Sequence, residues 1–245
     1  MNPISLCCLD MAGTTVTDGG LVERCFAAAM VASGATGRDE AADLQMVRDT
    51  MGQEKIVVFR RLFAGDESVA QRANIGFERA VISAVADGVV TAIPGAARAL
   101  AVMRDRGIRI CLTTGFAPST REAIVAALGW GDLVDLSLSP ADAGRGRPWP
   151  DMIWAAAMRL GIDGADEIAV VGDTANDLLA GRRSGASVVT GVLTGAHDRA
   201  ALTAAPHTHI LDSVTDLPAV LAEENAMRGT KVQVERVDDL PSGLR

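Results

Sequence analysis

From residue 90 onward, short apolar runs alternate with stretches of helical period, and no other feature limits the possible folds so strongly. Runs at 108–112, 134–138, 168–171, 188–192 and 209–211 read as strands; 94–106, 118–128, 148–160, 174–184 and 217–225 read as helices. A further run, 4–9, stands at the N-terminus and ends on Asp10. Runs that are apolar throughout suit strands covered on both faces, and strands joined by helices pair in parallel. The expected architecture is α/β, with helices on both sides of a parallel sheet.

From Leu21 to about Asp87 the strand signal is missing. Segments 21–31, 43–51, 54–63 and 73–86 have helical periodicity, punctuated by Gly34, Gly37 and Gly65. We therefore expect a Rossmann-like doubly wound core, 1–18 and 91–226, carrying an inserted all-helical cap, 19–90. Residues 227–245 are polar and weakly patterned, and are expected to form a loosely ordered tail.

The bulk properties narrow the function. A chain of 245 residues with 49% hydrophobic content can bury a large core. A net charge of −8 argues against a nucleic-acid surface, which needs clustered basic residues. The N-terminus has no basic leader region and no run reaches membrane-span length, so a cytoplasmic protein with no membrane partner is expected. Cys7, Cys8 and Cys111 lie inside apolar runs, Cys25 in a helical one, and no CxxC spacing suggests zinc. Only Lys55 and Lys231 are lysines among 23 basic residues. A lysine kept where arginine is the rule offers an amine that can become neutral and nucleophilic.

Ligands of open parallel sheets gather beyond the carboxyl ends of the strands. The polar residues expected there are Asp10, Thr113 with Thr114, and Asp173 with Asp177 in Gly172-Asp173-x-x-x-Asp177. Such carboxylates can meet around Mg²⁺, a hard ion that prefers oxygen. Hydroxyls, backbone amides and an arginine can hold a phosphoryl group while Asp10 attacks phosphorus.

This ordered set resembles the haloacid dehalogenase superfamily over the chain up to about Asn225. The finer resemblance is to its phosphonatase branch, the phosphonoacetaldehyde hydrolases and their relatives. It rests on Asp10-Met11-Ala12-Gly13-Thr14-Thr15, on Gly146-Arg147-Pro148 and on Met51-Gly52-Gln53-Glu54-Lys55. The resemblance implies an aspartyl-phosphate on Asp10 and an Mg²⁺ ion held by Asp10, Ala12, Asp173 and Asp177. It implies a phosphate partner in Arg147, with Arg145 the rival, and substrate contacts from Ala12, Gly13, Met51, Thr113, Thr114 and Gly115. It also implies that Lys55 forms a Schiff base with the carbonyl of a 2-oxoalkyl phosphonate. Ala12 stands where most superfamily phosphatases carry an acid, so a proton for an ordinary ester would have to come from elsewhere.

Two positions depart from phosphonatase itself. Val58 replaces a histidine three residues after the lysine, and Gly20 replaces a cysteine ten residues after the nucleophile. His197, His207 and His209 all lie late in the core. The competing enzyme reading is an Mg²⁺-dependent phosphatase of small, phosphoglycolate-like esters; the competing non-enzyme reading is a phospho-ligand-binding regulatory module. Lys55 could instead be a surface helix residue paired with Glu54 or Asp49. The apolar run Cys25–Ala32 would suit either a homodimer interface through the cap or the cap's own core.

Overall fold

A computed structural model of the chain describes residues 2–238, with side chains through 229. Its sheet has six parallel strands: β1 (Leu6–Asp10), β2 (Arg109–Thr113), β3 (Leu136–Leu138), β4 (Ile168–Gly172), β5 (Val188–Val192) and β6 (His209–Leu211), in the order β3-β2-β1-β4-β5-β6. β1, β4 and β5 are buried along their whole length, as their unbroken apolar runs require. The pleat divides these side chains between two cores. Cys7, Leu9, Ile110, Leu112, Ala169 and Val171 face one; Leu6, Cys8, Cys111, Ile168 and Val170 face the other.

The helices of the sheet layers are α5 (Ala96–Asp105), α6 (Pro118–Ala127), α7 (Pro140–Ala143), α8 (Asp151–Leu160), α9 (Ala175–Ser184), α10 (Arg199–Ala204) and α11 (Leu217–Asp238). Between β1 and α5 lie α1 (Leu21–Ser33), α2 (Glu40–Asp49), α3 (Lys55–Leu62) and α4 (Glu67–Ala86), with no named strand among them. Asp39 caps α2 by accepting from the amides of Ala41 and Ala42, and Asp66 caps α4 by accepting from Val69. The short α7 and α10 are absent from the sequence reading, since four and six residues are too few to show a helical period.

Phe26, Phe59 and Phe77, each fully or nearly fully buried, tie α1, α3 and α4 together. Phe26 lies 4.8 Å from Phe59 and 4.7 Å from Phe77, ring centroid to centroid. Phe77 also stacks at 6.1 Å on Phe116, which belongs to the loop after β2, so the helical insertion and the sheet layer share this aromatic core. Phe77→Ala should lose about 3–5 kcal/mol of unfolding free energy in a denaturant titration, the usual cost of an emptied phenylalanine site. The run Cys25–Ala32 divides by face: Cys25, Phe26 and Ala29 are buried, while Val31 is 83% exposed.

The sequence reading is corrected at the C-terminus. A loose tail was expected from residue 227, yet α11 runs unbroken to Asp238. Asn225 accepts from the amide of Ile4 at 2.6 Å and donates back to its carbonyl at 3.2 Å. Arg228, 4% exposed, donates to the carbonyls of Asn2 and Asp166 and to the Ser187 hydroxyl. These bonds fasten the last helix to the start of β1. The expected tail beyond Asp238 lies outside the described residues.

Candidate active site

The order in which strands are added reverses at β1, which β2 and β4 flank, and this opens a crevice above the end of β1. Asp10 is there. Its parallel register partner is Thr113, and Asp173 follows directly on the last residue of β4. Three separate stretches of chain therefore deliver polar groups to one spot.

Arg147 joins them. Its side chain is 4% exposed, with Nη1 2.7 Å from Asp10 Oδ1 and Nε 2.7 Å from Asp177 Oδ1. Nη2 donates to Thr113 Oγ1 at 2.7 Å, and Nη1 to the Gly52 carbonyl at 3.4 Å. A buried guanidinium is tolerated only with such a set of acceptors. Burial opposes its charge, but Asp177 and Asp10 outweigh that cost and raise its pKa further. The rival Arg145 lies outside, paired with Asp151 at 2.9 Å and stacked on Trp149.

Asp177 occupies the third position of α9. Its Oδ2 accepts from the Thr174 amide at 3.1 Å and from the Thr174 hydroxyl, while its own amide donates to that hydroxyl. This reciprocal cap accounts for the fixed spacing after Gly172. Asp173 accepts from Thr14 Oγ1 at 3.1 Å and from the Ala196 amide at 2.7 Å. Gly13, at φ +89°, passes so close beneath it that a Cβ would stand 2.5 Å from Asp173 Oδ2.

Burial, reinforced by the charges of Asp10 and Asp177, holds the Asp173 carboxyl well above the usual range. Burial likewise pushes Asp10 up to about 7, against the pull of Arg147 and with the push of Asp177. Two buried carboxylates that disfavour each other's charge are suited to a shared hard cation. Among the described residues, no three His, Cys, Asp or Glu side chains gather closely enough to hold a metal by themselves. Asp10, Asp173 and the Ala12 carbonyl are the oxygens that would hold an Mg²⁺ ion here, with waters completing its shell. Asp177, the other carboxylate expected as a ligand, pairs through Oδ1 with Arg147 and accepts through Oδ2 from Thr174.

The helical insertion closes the crevice. Asn176 Nδ2 donates to the Met51 carbonyl at 2.7 Å, and the Lys55 amide to the Gly115 carbonyl at 3.4 Å. Gly52, at φ +82°, runs against Thr174, where a Cβ would lie 2.5 Å from the hydroxyl. Lys55 opens α3 and is 6% exposed. Its amine stands 5.5–5.8 Å from the ring centroids of Phe26, Phe77 and Phe116. Burial lowers its pKa below the ordinary 10.5, opposed by Asp10 and Glu78. It is therefore not a surface residue, and among the described residues neither Glu54 nor Asp49 pairs with it within 4.0 Å.

Asp10, Ala12, Met51, Lys55, Thr114, Gly115, Arg147 and Asp173 share a cavity with about 30 Å³ of solvent space, room for about two waters. Through Asp18, Met51 and Ala196 it adjoins a wider chamber of about 770 Å³, which reaches Glu23, Arg48 and His197. Thr113, Gly13 and Asp177 do not line this cavity. His197 Nδ1 accepts from the Ala175 amide at 3.1 Å, and Val58 is buried in the helical core. Asp18 and Thr174, also in the cavity wall, were absent from the sequence reading. Their signal is the helix cap: Asp18 accepts from the amides of Gly20 and Val22, and Thr174 from that of Asp177.

Comparison with known proteins agrees with this arrangement. The family model of haloacid dehalogenase-like hydrolases matches residues 4–185. A phosphonoacetaldehyde hydrolase of Parabacteroides distasonis is 27% identical over 266 residues, covering 92% of this chain and 98% of the relative. Among solved structures, a hydrolase from Pseudomonas syringae superposes with a TM-score of 0.77 at 24% identity, covering 90% of this chain and 99% of its own. A phosphonoacetaldehyde hydrolase-like protein from Oleispira antarctica gives 0.76 at 23%, covering 92% and 94%. At these identities the two structures bear on the fold alone.

Proposed function

The chain belongs to the haloacid dehalogenase-like hydrolases, and on that basis we propose that it cleaves the C–P bond of a 2-oxoalkyl phosphonate, phosphonoacetaldehyde or an analogue. One observation carries this reading: a lysine amine, buried among three aromatic rings, lines the same cavity as Asp10, while Ala12 offers no acid. Residues 19–90 act in it as the cap.

The carbon released from phosphorus takes the bonding electrons, and a simple carbanion is too unstable to leave. A protonated imine on Lys55 accepts them as an enamine. The desolvated amine is the group suited to make that imine, because its neutral form is favoured by burial. Asp10 then attacks phosphorus as the C–P bond breaks, giving an aspartyl-phosphate and the enamine. Water cleaves the acyl phosphate to release phosphate. Protonation of the enamine carbon and hydrolysis of the imine release the carbonyl product and restore Lys55.

Arg147 holds the phosphoryl oxygens beside Asp10, and Asp177 and Thr113 hold Arg147. Asp177 thereby acts as a positioning residue. Mg²⁺ at Asp10, Asp173 and the Ala12 carbonyl would neutralise charge on the phosphoryl group. The inner cavity adjoins the wider chamber through Asp18, Met51 and Ala196, and the substrate reaches Asp10 from that side.

Borohydride added during turnover should reduce the imine and leave a mass increment on the peptide containing Lys55. Assignment is simple, because Lys231 is the sole other lysine. Phosphate release without any such adduct would sink the imine and leave a phosphomonoesterase.

A further inference from the structure

An imine cannot form without moving protons. The ammonium must lose one, and the carbinolamine oxygen must gain one to depart as water. The groups charged near Lys55 are Asp10, Glu78, Arg147 and Asp18. Asp10 is committed to phosphorus, Arg147 keeps its proton, and Asp18 spends both carboxylate oxygens on the amides of Gly20 and Val22.

Glu78 is different. It lies on α4, 9% exposed, with Oε1 accepting from the Ala117 amide at 3.1 Å. Its Oε2 is buried with no fully formed hydrogen bond among the described residues, and the Thr120 hydroxyl, itself unpaired, is the donor beside it. An orphaned buried carboxylate oxygen is costly unless something uses it. Glu78 and Lys55 line a common cavity of about 120 Å³, which shares Lys55 and Gly115 with the Asp10 pocket. Their charged groups stand farther apart than the 4.0 Å of an ion pair, and the cavity they line has space for a bridging water. Cys25 of α1 and Thr120 of α6 are its other polar neighbours.

We infer that Glu78 is the acid–base partner of Lys55, carrying protons on and off the amine and the carbinolamine oxygen. The assignment rests on the imine reading above. Glu78 first takes a proton from the Lys55 ammonium. As the neutral amine adds to the carbonyl carbon, the C–N bond forms and the C=O π bond opens; Glu78 gives that proton to the oxygen and takes one from the nitrogen. Protonated Glu78 then gives a proton to the carbinolamine hydroxyl. The C–O bond breaks, water leaves, and the nitrogen lone pair closes C=N, leaving an iminium opposite a Glu78 carboxylate. Burial raises the pKa of Glu78, Thr120, Ala117 and Lys55 opposing it, so the acid form persists to higher pH than in an exposed glutamate.

Glu54 shares this cavity and is the nearest rival carboxylate, but it lies half-buried beside Arg60. The test is the rate at which borohydride traps phosphonoacetaldehyde on the full-length protein, followed by mass spectrometry across pH. Glu78→Gln should slow trapping about 10²-fold and remove the pH limb due to Glu78, while Glu54→Gln stays within threefold of wild type. Glu78→Ala should be slowed likewise and rescued by added formate, which a purely structural role would not allow. Glu78→Gln trapping at the wild-type rate, loss in Glu54→Gln instead, or no formate rescue would overturn the assignment. A wild-type protein that releases phosphate yet forms no adduct would overturn the imine itself, and Glu78 with it.

Discussion

Asp10→Asn is expected to remove phosphate release by at least ~10⁴-fold, with the fold intact. Loss of an attacking group that acts in concert with its neighbours costs on the order of 10⁶ in other hydrolases. The amide is nearly the same size as the carboxyl, so the contact with Arg147 loses charge but not shape. The pH dependence of stability gives a second readout. Asp10 is raised from 3.8 to about 7 in the folded state, mainly by burial. Its contribution to stability is therefore complete below about pH 4 and is lost as pH rises through about 7. Melting curves recorded in a chelator should show wild type falling more steeply than Asp10→Asn over that window, with Asp173 adding to the fall in both proteins. A variant with wild-type phosphate release would remove Asp10 from the chemistry altogether.

Lys55→Met should abolish C–P cleavage, by ~10³-fold or more, the scale of losing one preorganised stabiliser of developing charge. Methionine fills the space among Phe26, Phe77 and Phe116 and lacks only the amine. Loss of activity in this variant therefore reflects chemistry rather than a collapsed cap, provided its denaturation midpoint stays near that of wild type. Phosphate release from a phosphonate panel, with phosphate esters beside it, is the measurement. Retention of a third or more of wild-type phosphonate turnover would dismiss the imine.

What could be read from the sequence is what strand order and chain-local spacing determine. A strand-end aspartate, a Gly-Asp-x-x-x-Asp at a second strand end and a Gly-Arg-Pro ahead of a helix each carry their own local signal, and the sheet brings them together. Lys55 was legible because the chain avoids lysine. Glu78 was not, because a glutamate in mid-helix ordinarily faces water; its burial depends on how α4 packs against α6 and the loop after β2. The standing of Asp177 was hidden as well. An aspartate at that spacing can bind a cation or cap a helix, and the cap is visible only in its contacts with Thr174.

The bonds from Asn225 and Arg228 to Ile4 and Asn2 have a practical side for anyone shortening or tagging the protein. The family match stops at residue 185, and a boundary drawn there would look reasonable on a gene diagram. It would cut away two sheet strands and the helix that grips Asn2 and Ile4, just ahead of the strand that ends on Asp10. Expression boundaries belong beyond Arg228, and the first few residues are a poor place for a fused partner.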